Sequence, residues 1–129
     1  MASLDTNILL RLVLNNEPVL VNRVRKLLAR HDVFAVSDVV IIEMEYILCG
    51  YYQYSRKQFG DIITELFVNN QHINMNRQLF MYVLPYYQKH SGVSFTDCCL
   101  AGYAKLNNQT PLYTFDKKLV RDLPHVKEA

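Results

Sequence analysis

Short apolar runs alternate along the chain with longer segments in which apolar residues recur at helical spacing. Four of the apolar runs have the length and composition of β-strands: 2–4, 33–36, 72–75 and 112–115. The longer segments predict amphipathic helices, because their apolar positions fall on one helical face. Strands that alternate with helices typically form right-handed βαβ units. We therefore predict an α/β fold, arranged as a three-layer α/β/α sandwich with a parallel central sheet.

Several predicted helices begin at recognisable start signals. Pro18 stands where a first helical turn accepts a proline, and Ser37 or Asp38 is positioned to cap the helix after the second strand. Ser55 is positioned to cap another helix, and a last long helix follows Thr96. The predicted packing face of that last helix consists of Leu100, Ala101 and Ala104.

The length and composition suit a single domain over residues 1–129. Half of the 129 residues are apolar, which is enough to build a core at this size. The chain has no apolar run of membrane-spanning length and no signal-peptide pattern, so we expect a soluble cytoplasmic protein with no membrane partner. The adjacent Cys98 and Cys99 suit neither a disulfide framework nor a zinc site, and we expect reduced, packed thiols.

Four carboxylates, Asp5, Glu43, Asp97 and Asp116, stand where apolar segments end or turn into helices. Asp5 and Asp116 directly follow predicted strands, and parallel strands end at one edge of a sheet, where α/β folds bind ligands. Each acid on its own is also explained as a helix cap or as a first-turn acid that the helix dipole favours. Together, four converging carboxylates repel one another, and Glu43 lies in an apolar run, 39–44, that predicts burial. A divalent cation that prefers oxygen ligands, Mg²⁺ or Mn²⁺, would resolve this repulsion.

Helical geometry selects Glu43 over its neighbour Glu45. Glu43 lies about one and a half turns, or roughly 8 Å, beyond the start of its helix, and its long side chain tilts back toward the helix amino terminus. Glu45 lies about 200° further around the helix, so we expect it to face elsewhere.

The charge balance is compatible with an anionic partner. The formal charge is +2, and without the four candidate acids 8 acidic residues stand against 14 basic ones, an excess of six positive charges. A basic surface around an acidic pocket suits a polyanion, although a mildly basic surface is also common in soluble proteins. Lys117, Lys118 and Arg121 follow the fourth acid and are placed to contact a phosphate backbone, although a solvated helical turn is the simpler explanation for each of them.

The four acids stand in four ordered motifs: Leu4-Asp5-Thr6-Asn7-Ile8-Leu9, Val36-Ser37 followed by Glu43, Phe95-Thr96-Asp97 followed by Leu100, Ala101 and Ala104, and Thr114-Phe115-Asp116-Lys117. This ordered set resembles the motifs of PIN-domain ribonucleases of the VapC type, which are the toxins of bacterial and archaeal toxin–antitoxin pairs. The resemblance covers essentially the whole chain. It departs at Cys98-Cys99, where small or aliphatic residues are expected.

The resemblance implies a Mg²⁺- or Mn²⁺-dependent endoribonuclease that hydrolyses RNA phosphodiester bonds as the toxin of a type II toxin–antitoxin system. It implies that the catalytic, metal-binding acids are Asp5, Glu43, Asp97 and Asp116. It also implies supporting roles for three polar residues: Thr6, Asn7 and Thr114. The implied partners are the RNA substrate, a second copy of the chain in a homodimer, and a cognate antitoxin. The antitoxin would dock on the helix at 18–30 or on the tyrosine-rich segment after Glu43.

Two other functions stay open from the sequence. In a catalytically silent PIN-like binding module, the acids would only bind a structural ion or a partner's arginine. An aspartyl-nucleophile phosphohydrolase would use Asp5, but such enzymes of the haloacid dehalogenase type have a second acid two residues later, where this chain has Asn7.

Overall fold

The computed structural model describes residues 1–30 and 33–129. Backbone contacts divide the chain into two compact units, Met1–Asn76 and Arg77–Ala129, which we call the first unit and the second unit. The described strand pairings are all parallel, so the predicted α/β class with parallel strands is confirmed. Within the described ranges, no helix combines the length and the hydrophobicity needed to cross a bilayer.

The first unit combines a parallel sheet with helices. Its described elements are β1 (Ala2–Ser3), α1 (Thr6–Leu14), α2 (Pro18–Leu28), β2 (Phe34–Ala35), α3 (Asp38–Glu45), α4 (Arg56–Ile63) and β3 (Ile73–Asn74). The helix α3 continues as a π-helical segment, Tyr46–Tyr51, and α4 continues as another, Thr64–Val68. The strand order is β1-β2-β3, with Ala2 beside Phe34 and Phe34 beside Ile73.

Local sequence signals set two helix boundaries in the first unit. The Ser37 hydroxyl accepts a hydrogen bond from the Val40 amide at 3.4 Å, so Ser37, and not Asp38, is the cap of α3. Ser55 and Gln58 form a reciprocal capping box at the start of α4, as the Ser55 signal predicts. The start of each helix is therefore determined by residues close to it in sequence.

The helices of the first unit bury their apolar faces in its interior. Its almost inaccessible side chains include Leu9, Ile41, Met44, Leu48, Phe59 and Ile63. The helix α1 packs against both α2 and α3. This packing keeps the carboxyl end of β1, where α1 begins, beside α3.

The second unit is built on a pair of packed helices. Its elements are α5 (Arg77–Lys89), α6 (Phe95–Leu106), β4 (Leu112–Thr114), α7 (Lys117–Asp122) and β5 (Val126–Glu128). The helix α5 packs against α6, and β4 pairs with β5 so that Leu112 lies beside Val126. The strand β5 was not predicted from the sequence, because its three residues contain only one buried position.

The helix α6 begins earlier than the sequence pattern predicts. The prediction places the helix after Thr96, whereas it begins at Phe95. The hydroxyl of Ser94 accepts a hydrogen bond from the Asp97 amide at 3.1 Å, so Ser94 is the cap and brings Phe95 into the first turn.

The packing face of α6 was predicted correctly in part. Cys98 and Cys99 are buried, as predicted, and so are Ala101 and Ala104. The prediction for Leu100 is wrong, since 49% of this residue is exposed. The buried positions 95, 98, 99 and 102 follow the spacing of one helical stripe, and Leu100 lies to one side of it.

Candidate functional site

Asp5 is the cap of α1 in the first unit. It lies two residues after the end of β1, and its Oδ1 accepts a hydrogen bond from the Ile8 amide at 3.1 Å. The aspartate is exposed, whereas the adjacent Thr6 is buried. A cap bond uses one of the two carboxylate oxygens, so Asp5 can cap the helix and still offer an oxygen to a cation.

Glu43 lies in the same unit, on α3. This helix follows β2, which is the parallel neighbour of β1. Because parallel strands end at the same edge, Asp5 and the start of α3 lie at one edge of the first unit. That the Glu43 carboxylate, further along α3, returns to this edge stays a prediction.

The predicted burial of Glu43 is wrong. Glu43 is exposed, and within the run 39–44 only Ile41 and Met44 are buried. Glu43 lies about 200° around the helix from Ile41, which turns it away from the buried stripe. The cost of a buried charge therefore supplies no argument for a cation here, and the case for metal binding rests on the arrangement of the acids. Glu45 is half-buried.

Asp97 is held in the first turn of α6 in the second unit. Ser94 caps this turn, and the Phe95 ring packs against Phe80 and Tyr87 of α5, with ring centroids 6.1 Å and 4.9 Å apart. These contacts anchor the start of α6 to α5. The position of Asp97, two residues after Phe95, follows from that anchoring.

Asp116 is the cap of α7 and lies two residues after the end of β4. Its Oδ1 accepts a hydrogen bond from the Lys118 amide at 2.8 Å, and its own amide donates to Thr114 Oγ1 at 3.0 Å. Thr114 thus orients the backbone at the acid. Asp97 lies in the first turn of α6, which packs against β4, and Asp116 follows the end of β4, so both acids belong to elements that contact each other in the second unit.

Each unit thus contributes one pair of predicted acids: Asp5 with Glu43, and Asp97 with Asp116. Within the described part of either unit, no group of three or more His, Cys, Asp or Glu side chains is arranged as a metal site. The donor set consists of carboxylates alone, and its chemistry fits Mg²⁺ or Mn²⁺. The assignment of all four acids to one metal centre stays a prediction.

Sequence reasoning missed a basic cavity between α1 and α2 in the first unit. Its volume is about 650 Å³. Its lining combines an apolar floor with polar and charged groups: Ile8, Leu20, Val24 and Leu27, together with Asn7, Arg11, Glu17, Arg23, Lys26 and Arg30. Arg11 is paired with Glu17. The signal was present in the chain, since positions 23 and 26 of α2, and position 30 just beyond its end, recur at helical spacing beside the apolar positions 20, 24 and 27.

Arg121, a predicted phosphate contact, is engaged within its own helix. Its Nε and Nη2 donate to the two carboxylate oxygens of Asp122 at 2.8 Å and 2.9 Å. These hydrogen bonds hold the pKa of Asp122 below its usual value and raise the pKa of Arg121. Arg121 is therefore less suited to phosphate binding than the exposed Lys117 and Lys118.

An α/β fold with acids at the carboxyl ends of parallel strands is one that binds its ligand at that edge. The chain matches the PIN domain family model over residues 2–123, and it belongs to the PIN domain family. Members of this family are generally nucleases, which supports hydrolysis of nucleic acid. Neither a curated protein nor a solved structure gives a significant match to the chain.

Proposed function

We propose that the protein is a Mg²⁺- or Mn²⁺-dependent endoribonuclease that hydrolyses RNA phosphodiester bonds. The observation that carries the proposal is the pairing of acids in a PIN domain chain. Asp5 and Glu43 belong to the first unit, where each follows one of two paired parallel strands, and Asp97 and Asp116 belong to the second. Carboxylates grouped in this way suit a hydrolase that uses a divalent cation.

In this proposal Asp5, Glu43 and Asp97 hold the cation, directly or through water. Asp116 holds a second ion or orients the attacking water. A bound Mg²⁺ or Mn²⁺ supplies a water of lowered pKa and positive charge for the developing phosphoryl oxygens. Thr114 has a supporting role, because its hydroxyl fixes the Asp116 amide. Thr6 and Asn7, which follow Asp5 in the first turn of α1, are proposed to support that acid.

The direct test is digestion of total RNA by the purified chain, with the new ends mapped. We expect cleavage with Mg²⁺ or Mn²⁺ that stops when a chelator is added. RNA binding without cleavage under any divalent cation would favour the silent binding module instead. Hydrolysis of small phosphate monoesters in place of RNA would favour the aspartyl-nucleophile phosphohydrolase.

A pair of isosteric changes tests the proposed role of Glu43. Glu43→Gln should lower kcat/KM for RNA by roughly 100-fold, since it removes a charge from the cation site. Glu45→Gln, two residues away on α3, should change it less than about threefold. The reverse ranking of the two variants would show that the helical register proposed for the site is wrong.

We further propose that the nuclease is the toxin of a type II toxin–antitoxin pair and acts in the cytoplasm. The basic cavity between α1 and α2 supports a protein partner of matching chemistry. Its apolar floor would take the apolar face of an amphipathic segment, and its basic residues would pair with acidic residues of that segment.

A homodimer is proposed as well, since Tyr46 and Tyr51 expose 77% and 79% of their surface. Light scattering at several protein concentrations tests it.

Charge reversal in the cavity tests the antitoxin proposal. The product of an adjacent small gene should suppress cleavage by the parent chain, and Arg23→Glu should weaken that suppression roughly tenfold by repelling an acidic segment. Arg25→Glu is the matched control, because Arg25 lies on the same helix, is exposed and does not line the cavity. An active nuclease that no neighbouring product suppresses would contradict the toxin role and leave the nuclease proposal standing.

A further inference from the structure

Two large aromatic side chains at the end of β4 are exposed to solvent: Tyr113 lies in the strand, and Phe115 lies in the bend that follows it. Phe115 is 84% exposed and Tyr113 is 64% exposed. The other two residues of β4, Leu112 and Thr114, are half-buried, and Phe115 directly follows Thr114. The chain therefore keeps two aromatic rings, two positions apart in the sequence, out of the core of the second unit.

Positive charge surrounds this aromatic pair. Lys127 of β5 is the register partner of Tyr113 and is exposed, and Lys117 and Lys118 follow directly after Phe115. Of the two acids closest in sequence, Asp122 binds the Arg121 guanidinium, and Asp116 caps α7 and is itself a proposed cation ligand. A cationic surface with exposed rings matches the combination of anionic backbone and flat bases in a nucleic acid strand.

The rings are held at a fixed position relative to a predicted catalytic acid. Phe115 is bonded directly to Asp116, and the Asp116 amide donates to Thr114 Oγ1 at 3.0 Å. The residues on both sides of Phe115 are thus fixed by one hydrogen bond, and the helix cap fixes the acid that follows. A base stacked on Phe115 would be kept within one nucleotide or so of Asp116.

We infer that Phe115, assisted by Tyr113, stacks an unpaired base of single-stranded RNA next to the bond that is cut, while Lys117, Lys118 and Lys127 contact the neighbouring phosphates. The inference rests on the proposed ribonuclease function and adds a substrate-positioning surface to it. Paired bases in an RNA helix hide their flat faces, so the surface selects single strands, loops and ends. Stacking on an aromatic ring tolerates every base, so this surface fixes position more than sequence.

Binding can be measured without cleavage, because the chain contains no tryptophan. Phe115→Trp places a single fluorescent reporter on the surface, and Met81→Trp places the control on α5, where Met81 is 61% exposed. With EDTA present, a short single-stranded oligoribonucleotide should quench the reporter at position 115 in a saturable way, and the same sequence as a duplex should quench it several-fold less. The reporter at position 81 should not respond. Equal responses of the two reporters would overturn the inference.

Steady-state cleavage gives the second measurement. Phe115→Ala should raise KM for single-stranded RNA about tenfold, equivalent to ~1.4 kcal/mol of lost stacking, with kcat changed less than about threefold. Phe115→Tyr should restore KM, and Met81→Ala should leave it unchanged. If Phe115→Ala cleaves RNA with an unaltered KM, the inference is wrong and the nuclease function still stands. The inference is also wrong if Phe115→Ala changes the oligomeric state of the protein and binds RNA as the parent does, because Phe115 would then belong to an interface between copies of the chain. Saturable quenching of the Phe115→Trp reporter, together with no RNA cleavage by the metal-loaded parent, would support the surface and contradict the nuclease function.

Discussion

Asp5→Asn is expected to lower RNA cleavage by roughly 100-fold or more while the protein stays folded. The change removes one negative charge from the proposed cation site and keeps the shape of the side chain. Stability should be nearly unaffected, because asparagine caps helices about as well as aspartate and can still accept the Ile8 amide hydrogen bond. Cleavage rates over a Mg²⁺ titration, together with thermal unfolding of the same samples, measure both effects.

The matched control for this variant is Asp61→Asn. Asp61 is an exposed acid of the first unit whose carboxylate pairs with Lys57 at 3.0 Å along α4. Its neutralisation should change stability by about 0.5 kcal/mol or less and leave cleavage unaltered. A folded Asp5→Asn variant that cleaves as fast as the parent at every Mg²⁺ concentration would remove Asp5 from the site.

Gly102→Val is expected to destabilise the protein by about 3 kcal/mol. Gly102 lies where α6 meets α5, and a Cβ atom there would stand 2.7 Å from Val83 Cγ2 and 2.9 Å from Leu79 Cδ1. Both neighbours are almost fully buried, so they have little room to move. Chemical denaturation should show a lower midpoint with an unchanged slope.

Gly50→Ala is the control that separates overpacking from loss of a glycine as such. Gly50 is exposed in a helical segment, and no described atom beyond its chain neighbours and the backbone of its own helix lies within 4 Å of the position that its Cβ would take. Alanine there should be neutral or stabilising by up to about 1 kcal/mol, because it lowers the conformational entropy of the unfolded chain. Equal stability of the Gly102→Val variant and the parent would show that α5 and α6 are not in the close contact described.

The predicted strands could be located from the sequence, although their lengths could not. All four are present, but β1, β2 and β3 are reduced to two residues each and β4 to three. An apolar run shows which residues enter the core. The length of a strand depends instead on how many of its residues form hydrogen bonds with a neighbouring strand. The strand β5 was missed for the same reason, since its existence depends on pairing with β4.

The candidate site was predicted to a similar extent. The caps formed by Asp5 and Asp116 and the first-turn position of Asp97 follow from neighbouring residues, and the structure contains all three. The prediction that Glu43 is buried was wrong, because an apolar run in the sequence does not show which of its positions the rest of the chain covers. The sequence indicated apolar and basic residues along 18–30, but the cavity was missed because residues of α1 also line it. The exposure of Phe115 was missed because an aromatic residue carries no mark of its exposure in the sequence.

The sequence by itself determined the class of fold, the helix start signals and the residue types of the four acids. These properties depend on contacts over a few residues, which the order of amino acids specifies directly. The tertiary structure decided which faces are covered. It exposes Glu43 and Leu100, and it leaves a cavity of about 650 Å³ between α1 and α2. The rotation of one element against another is set by side-chain packing between segments distant in sequence, and no local pattern encodes it.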